Sequence, residues 1–233
     1  MSVRSEIRLP AGEFSYLDEG SGPPLVFLHA LGRNALDWAP TVKALADRWR
    51  CIALDLRGHG QSARCESYTF EEMEADLRAF VDALELERFF LVAHSMGANV
   101  AWLFAARTSD RIVRLVIEDT APPTPATMFP EPPEHPPEPV DFDWEVVRQI
   151  VGQLNDPDPA WSTGPTRVTA PTLLIAGSLE DDSLADVLSK LPDGRLIEIP
   201  VGHHVHQTDP AWYNAAVEAF LADLAEPAPD SMR

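Results

Sequence analysis

Cysteine is nearly absent from the chain, with only Cys51 and Cys65 among its 233 residues. Their separation does not match the paired spacing of zinc knuckles or of redox-active dithiols. We expect both thiols to be reduced and structural, as is usual in the cytoplasm. The cysteine content therefore gives no sign of a disulfide framework.

Positive charge is also scarce, since 18 lysine and arginine residues face 37 acidic ones and the net charge is -19. A surface that binds phosphates needs clustered Lys and Arg, so a nucleic acid partner is not expected. No run of eighteen apolar residues is present, and the first six residues contain no apolar signal region. These absences predict a cytoplasmic protein without a membrane span. The partner expected is a small-molecule substrate, with no nucleic acid and no membrane, and the chain is expected to be a monomer or homodimer.

Short apolar runs alternate with helical patterns along the rest of the chain. The predicted strands are residues 6–9, 13–17, 25–28, 51–54, 89–92, 112–117, 172–176 and 195–199. The predicted helices are residues 37–49, 69–84, 95 onward, 142–154, 182–190 and 210–224. Such alternation predicts a single α/β domain over residues 1–233, with a mostly parallel sheet covered on both faces. Ligands are then expected at the carboxyl ends of the strands.

Proline is concentrated in residues 121–140, where nine of twenty positions are proline. That content excludes a regular helix or a central strand there. About thirty residues follow before the next core strand, and they include the amphipathic helix predicted around residues 142–154. We interpret residues 121–170 as a small lid, an insertion over the strand ends within the one domain.

A sharp turn is predicted where the strand at residues 89–92 gives way to the helix that begins at Ser95. The turn reads Ala-His-Ser-Met-Gly over residues 93–97. Such a turn holds the serine in a strained backbone geometry, exposes its hydroxyl at the sheet edge, and needs small flanking residues. Ser95 is therefore the candidate nucleophile.

Four motifs together resemble the α/β-hydrolase superfamily over residues 25–224. They are His-Ala-Leu-Gly at 29–32, Asp-Leu-Arg-Gly-His-Gly-Gln-Ser at 55–62, the turn at 93–97, and Gly-His at 202–203 with Val-His at 205–206 and Pro-Ala-Trp at 210–212. Ala30 and Ala93 stand where the family more often has glycine. The resemblance implies the α/β-hydrolase fold, a Ser-His-acid triad and no metal or organic cofactor.

The resemblance also implies the base and the oxyanion hole. The base follows the acid in the chain, and His203 lies after the last strand, directly behind a glycine. The oxyanion donors are the backbone N–H groups of Met96 and Leu31. The clustering of His203, His204 and His206 raises the possibility of zinc, which we reject because no carboxylate or cysteine pattern with ligand spacing accompanies them.

The acid is left open between two places. Most of the family has Gly-x-x-Asp after the penultimate strand, and Glu180 takes that position here, beside Asp181 and Asp182 in a shortened loop. Some members take the acid from the end of the earlier strand, where this chain has Asp119. The candidates are thus Asp119 and the 180–182 cluster, represented by Asp181.

The remaining motif residues are assigned to the scaffold or to the pocket. His29, Trp38 and Trp144 are candidates for the substrate pocket, although the favoured interpretation of His29 is a hydrogen-bonding scaffold residue. Asp55 and Arg57 are interpreted as a structural ion pair or as loop anchors.

The predicted function is a serine hydrolase that cleaves a carboxylic ester or lactone of a small, mainly apolar substrate. The alternatives on the same triad are a carbon–carbon bond hydrolase and a cofactor-free perhydrolase or haloperoxidase. A ligand-binding, receptor-like protein with little turnover is the alternative of another class. A haloalkane dehalogenase is disfavoured, because its nucleophile is a carboxylate and position 95 is serine.

Overall fold

The computed structural model describes residues 3–125, 128–178 and 182–223. Its eight strands are β1 Val3–Leu9, β2 Gly12–Glu19, β3 Pro24–Leu28, β4 Arg50–Leu54, β5 Phe89–His94, β6 Ile112–Glu118, β7 Thr172–Ala176 and β8 Gly194–Glu198. Its α-helices are α1 Ala39–Leu45, α2 Phe70–Ala83, α3 Met96–Thr108, α4 Glu145–Asn155, α5 Ser183–Lys190, α6 Val205–Thr208 and α7 Pro210–Ala222. Short 3-10 turns lie at Ala35–Trp38, Ser109–Arg111 and Gly164–Arg167.

The eight strands form one sheet in the order β1-β2-β4-β3-β5-β6-β7-β8. β1 and β2 are antiparallel, as are β2 and β4, and every other neighbouring pair is parallel. The predicted mostly parallel sheet is therefore confirmed. The carboxyl ends of β3, β5, β6, β7 and β8 share one edge, which is the edge where the candidate motifs follow the strands.

Side chains alternate between two hydrophobic cores along each central strand. In β5, Phe89, Leu91 and Ala93 belong to the core beneath α2 and α3, whereas Phe90 and Val92 belong to the core beneath α1 and α7. This alternation follows from the two-residue period of a strand, and both faces are apolar because helices cover both.

Two predicted helices differ in their bounds. The helix expected over 37–49 is divided into the 3-10 turn Ala35–Trp38 and α1, and it stops at Leu45. The carbonyl of Leu45 then accepts the N–H groups of both Arg48 and Trp49, a tight turn that buries Trp49 before β4. The end predicted for the last helix, residue 224, lies outside the described residues.

The capping box predicted at the start of α2 is present. The hydroxyl of Thr69 accepts the N–H of Glu72, and the Glu72 carboxylate accepts the N–H of Thr69. These reciprocal bonds satisfy two N–H groups that the helix cannot satisfy itself.

The segment interpreted as a lid contains α4, close to the predicted helix. Gln149 and Gln153 on α4 accept the N–H groups of Tyr68 and Phe70, which ties α4 to the start of α2. Whether residues 121–170 act as a lid stays a prediction. None of the described helices is long and apolar enough to cross a membrane. Cys51 and Cys65 are free thiols.

Candidate functional site

Ser95 occupies the turn between β5 and α3 in a strained backbone conformation. Its φ of 53° lies in the left-handed region, which non-glycine residues rarely adopt. Only Glu85, Ser95 and Asp119 share this property among the non-glycine residues that the structure describes. Two of these three stand at the same edge of the sheet, and strain of this kind persists where the surroundings impose it.

Gly97 explains why this turn needs a small residue after the serine. A Cβ atom at Gly97 would lie 2.7 Å from the carbonyl oxygens of both His29 and Leu28. The Gly97 N–H donates to the His29 carbonyl, and the N–H groups of Ala98 and Asn99 donate to the Ser95 carbonyl. Met96 begins α3, so no carbonyl within the helix accepts its N–H.

Two buried histidines shape the loop after β3 that carries Leu31. His29 bonds to the Ala30 carbonyl through Nδ1 and accepts the Leu56 N–H through Nε2. His59 accepts the Gly32 N–H through Nε2, with 3.0 Å between the nitrogens. Burial lowers the pKa of His29 and lowers that of His59 to about 3, so both rings are neutral. They hold Leu31 at the rim of the cavity that Ser95 also lines.

Asp119 and His203 are brought together although 84 residues separate them. His203 Nδ1 lies 2.8 Å from Asp119 Oδ2, and the other carboxylate oxygen accepts the Gly177 N–H at 2.6 Å. Burial alone would raise the pKa of Asp119, but the bonds from His203 and Gly177 outweigh it and the pKa is lowered. Because the ionised carboxylate fixes a proton on Nδ1, the Nε2 lone pair of His203 is left to act as a base.

The loop that carries His203 is fixed against the end of β7. The Gly202 N–H donates to the Gly177 carbonyl at 2.9 Å, and Gly202 has a φ of +90°. A Cβ atom at Gly177 would lie 2.2 Å from the Gly202 carbonyl oxygen. This close approach accounts for the glycine at 177, whereas the left-handed φ accounts for Gly202, immediately before His203.

The other candidate acids lie in the loop after β7, which the structure describes only in part. Glu180 and Asp181 lie outside the described residues. Asp182 precedes α5, where its side chain makes no capping hydrogen bond, and it does not line the cavity. Of the described candidates, Asp119 is the one in contact with His203.

A cavity of about 420 Å³ opens beside Ser95, Asp119 and His203. This volume is within the range of small-molecule sites. Its walls are mainly apolar and come from the start of α3, the chain after β6, and α4 and α5. The apolar lining residues are Leu31, Met96, Ala121, Pro122, Pro123, Phe129, Ile150, Val151, Leu154 and Val187. Lys190 also reaches the cavity and pairs with Asp186 at 2.7 Å.

Three predicted pocket residues do not line this cavity. His29 is fully buried, and each of its ring nitrogens makes a hydrogen bond to loop backbone. Trp38 is fully buried in the opposite core and stacks on His206, with 4.2 Å between ring centroids. The indole N–H of Trp144 donates to the Pro133 carbonyl. The prediction of these residues as pocket lining is therefore wrong, because each is committed to packing or to a backbone contact elsewhere.

Asp55 and Arg57 are loop anchors but do not form a pair with each other. Asp55 accepts the N–H groups of Ala35 and Gln61 and pairs with Arg4. The guanidinium of Arg57 binds both carboxylate oxygens of Asp76. The side chains of Asp55 and Arg57 therefore bind different partners, and the interpretation of the two as one ion pair is wrong.

A buried cluster that the sequence did not reveal lies behind the Asp119–His203 pair. His206 Nδ1 lies 2.8 Å from both oxygens of Glu118, and His206 Nε2 lies 3.3 Å from Asp37 Oδ2. Burial acts to lower the pKa of His206, but the two carboxylates raise it to about 9. The imidazole is therefore a buried cation held between two anions.

The same cluster contains the group best able to bind a metal in the described part of the chain. Potential ligand atoms of Asp37, His94 and His206 lie within 4.8 Å of one another. The chemistry of these ligands suits a transition metal. However, the raised pKa of His206 keeps a proton on its ring, and a protonated imidazole does not bind a metal. The cluster is thus satisfied electrostatically by a proton.

The chain is similar to known proteins both in sequence and in structure. A family model described as alpha/beta hydrolase fold matches residues 23–157. A serine hydrolase-like protein of Danio rerio is 35% identical over 123 residues, which cover 50% of this chain and 38% of that protein. A haloalkane dehalogenase of Mesorhizobium japonicum is 37% identical over 114 residues, covering 48% and 37%. The chain thus spans well under half the length of these curated relatives.

Solved structures share the architecture over nearly the whole chain. A thermophilic esterase from Thermogutta terrifontis superposes with a TM-score of 0.76 at 22% identity, covering 94% of this chain and 98% of that one. At this identity the likeness shows the fold alone. Because the family model matches more than half of the chain, the chain belongs to the α/β-hydrolase fold family.

Proposed function

We propose that the protein is a serine hydrolase that cleaves a carboxylic ester or lactone of a small, mainly apolar substrate. The observation that carries the proposal is the 2.8 Å hydrogen bond between His203 and Asp119. Both residues line the same mainly apolar cavity as Ser95. A serine hydroxyl needs a base to take its proton, and that base needs a group to orient it. These residues supply each of those parts.

In the proposed mechanism the Ser95 oxygen attacks the substrate carbonyl carbon while its proton moves to Nε2 of His203. The N–H groups of Met96 and Leu31 stabilise the negative charge that develops on the carbonyl oxygen. The tetrahedral intermediate then expels the alcohol, which receives the proton from His203 and leaves an acyl group on Ser95. Water, deprotonated by His203, attacks this acyl group and releases the acid, and the proton returns to Ser95.

Exposure of the two partners suits these roles. The His203 side chain is 45% exposed, so it can meet substrate and water, whereas the Asp119 side chain is only 16% exposed. A buried carboxylate that stays ionised can hold the imidazole in one tautomer and stabilise the imidazolium that forms.

The names of the relatives include chemistries that use other nucleophiles. For the haloalkane dehalogenase relative, the family nucleophile is a carboxylate, and serine at position 95 argues against that reaction here. The fold alone does not select among ester hydrolysis, carbon–carbon bond hydrolysis and perhydrolysis. The mainly apolar walls favour uncharged esters and lactones over multiply charged substrates.

A fluorophosphonate probe tests the nucleophile, with Ser95→Ala as the variant and Ser189→Ala as the matched control. Ser189 is an exposed serine on α5 outside the cavity lining. We expect the probe to label the wild type and Ser189→Ala but not Ser95→Ala. Equal labelling of all three proteins would remove Ser95 from the mechanism.

Turnover assays then separate the chemistries. We expect p-nitrophenyl esters and lactones of short acyl chains to be hydrolysed by the wild type at rates that Ser95→Ala loses. Peroxyacid formation from acetate and peroxide, without ester hydrolysis, would favour the perhydrolase. Tight ligand binding without product release would favour a receptor-like protein.

A further inference from the structure

His94 is a buried polar residue that the proposed mechanism does not use. It ends β5, directly before Ser95, and its side chain is fully buried. Because side chains alternate along a strand, His94 lies on the same face as Phe90 and Val92, which belong to an apolar core. Neither ring nitrogen has a well-formed hydrogen bond within the part of the chain that the structure describes, although the His203 backbone lies close. A buried imidazole without firm partners costs stability, so an apolar side chain would be less costly at this position.

The ring of His94 lies against the ring of His203. The two ring centroids are 4.6 Å apart, with 50° between the ring planes. His94 also contacts the rings of His204 and His206, with centroid distances of 5.1 and 5.2 Å. One residue at the end of β5 thus contacts all three histidines that follow β8. The strand that leads to the nucleophile and the loop that carries the base therefore meet at this ring.

The other contacts of His203 do not fix the plane of its ring. The hydrogen bond to Asp119 holds Nδ1 in place, but the ring can still tilt about that one bond and so move Nε2. The side chain is 45% exposed, and among the described residues no hydrogen bond joins it to Ser95. The ring of His204 lies 5.3 Å away, but His204 belongs to the same loop and does not anchor it to the sheet. Of the described rings that contact His203, that of His94 is the one from the central sheet.

We propose that His94 is a positioning residue for the base: its buried, flat ring fixes the plane of the His203 imidazole, so that Nε2 is directed at the hydroxyl of Ser95. This inference rests on the proposed function and adds a residue to its machinery. The ring also suits the charge that forms on His203, because burial lowers the pKa of His94 to about 2 and leaves it neutral beside the imidazolium. The direction of a base matters for the rate, since a misplacement of about 1 Å can cost about 10²-fold.

Replacing His94 by leucine and by phenylalanine tests this role. Leucine has a similar volume but no flat ring, whereas phenylalanine keeps a flat ring without the nitrogens. For His94→Leu we expect kcat and kcat/KM for p-nitrophenyl butyrate to fall equally, by about 10–100-fold, with KM unchanged. Urea unfolding should show that His94→Leu is at least as stable as the wild type, because a buried imidazole without firm partners is removed. His94→Phe should recover most of the rate, since a ring again lies against His203.

Val92→Ala is the matched control. Val92 is fully buried two residues earlier, on the same face of β5. Its truncation should lower the free energy of unfolding by leaving a cavity, yet keep kcat near that of the wild type. We therefore expect His94→Leu to lose rate without losing stability, and Val92→Ala to lose stability without losing rate.

The outcomes separate this proposal from the proposed function. If His94→Leu keeps the wild-type kcat, or if His94→Phe or Val92→Ala is as slow as His94→Leu, the role of His94 is overturned while Ser95 chemistry stands. If the wild type neither hydrolyses the ester nor is labelled at Ser95, both proposals fail. If His94→Leu does not fold, a structure of the wild type with a fluorophosphonate bound to Ser95 decides. The rings of His94 and His203 should remain in contact there, and a His203 ring turned away from His94 would overturn the role.

Discussion

At the scale of single residues, the choice of acid depends on which carboxylate faces His203. Asp119 combines a left-handed φ of 47° with bonds to His203 and to the Gly177 N–H. Asparagine and aspartate tolerate this backbone region better than most residues. The strained conformation turns the side chain of Asp119 toward His203 while its own N–H donates to the Ile175 carbonyl at 2.8 Å.

Replacing Asp119 by asparagine should lower kcat for ester hydrolysis by about 10⁴-fold, because an amide does not hold the productive imidazole tautomer. Asp181→Asn is the matched comparison, since Asp181 is the other candidate acid, and it should retain a rate near that of the wild type. Steady-state kinetics with p-nitrophenyl butyrate give both values. A large loss in Asp181→Asn with a small loss in Asp119→Asn would reverse the assignment.

The sequence could name Asp119 and Asp181 as candidates but could not choose between them. Both follow strands whose carboxyl ends lie at the same sheet edge, so local pattern treats them alike. The pairing with His203 depends on loop geometry across 84 residues, including the backbone contact of Gly177 with Gly202.

At the scale of elements, the sequence predicts those features that depend on residues close together in the chain. The buried strands and the capping box at Thr69 follow from runs of apolar residues and from one spacing of polar ones. The early end of α1 was not predictable, because it follows from the burial of Trp49 against the sheet. Likewise Trp38 belongs to an apolar core rather than to the pocket, where it is fully buried and stacks on His206.

The packing of α3 against β3 gives a prediction for Gly97. Gly97→Ala places a methyl group 2.7 Å from two carbonyl oxygens, so α3 must shift. We expect the free energy of unfolding to fall by about 1–3 kcal/mol, the usual cost of overpacking, despite the better helix propensity of alanine. We also expect kcat to fall, because the shift moves the Met96 N–H. Urea unfolding and ester kinetics measure the two effects.

Gly152→Ala on α4 is the control for that substitution. A Cβ atom at Gly152 has no neighbour within 4 Å, so the change should stabilise the protein by about 0.5–1 kcal/mol. If Gly97→Ala were as harmless as Gly152→Ala, the close contact of α3 with the end of β3 would not be a constraint on the nucleophile turn.

At the scale of the whole molecule, buried histidines of opposite kinds couple stability to pH. His59 and His94 are buried and neutral, with pKa values lowered to about 3 and about 2. His206 is buried and charged, with its pKa raised to about 9. The unfolded chain returns all three to an ordinary value near 6.5. On unfolding, His59 and His94 therefore take up protons below pH 6.5, whereas His206 releases its proton above pH 6.5.

Between about pH 3 and 6.5 the unfolded chain binds protons at His59 and His94 that the folded protein does not bind. Stability from these groups therefore rises with pH in this window, by up to about 1.4 kcal/mol per pH unit for each group. Between about 6.5 and 9 the folded protein holds a proton on His206 that the unfolded chain releases. Stability from His206 is full below pH 6.5 and is lost as pH rises to about 9.

The histidines thus predict a free energy of unfolding that is greatest near pH 6.5 and falls on both sides. The variant His206→Gln separates the two limbs, because it removes the alkaline limb and leaves the acid limb. It also leaves Glu118 buried without its cationic partner, which should cost about 3–5 kcal/mol at neutral pH. Urea unfolding from pH 5 to 10 measures the free energy of unfolding of both proteins. If the variant does not fold, NMR titration of His206 in the wild type tests the prediction instead. An alkaline decline of the same slope in wild type and variant, or a His206 resonance that titrates near 6.5, would show that the imidazole is not the buried cation.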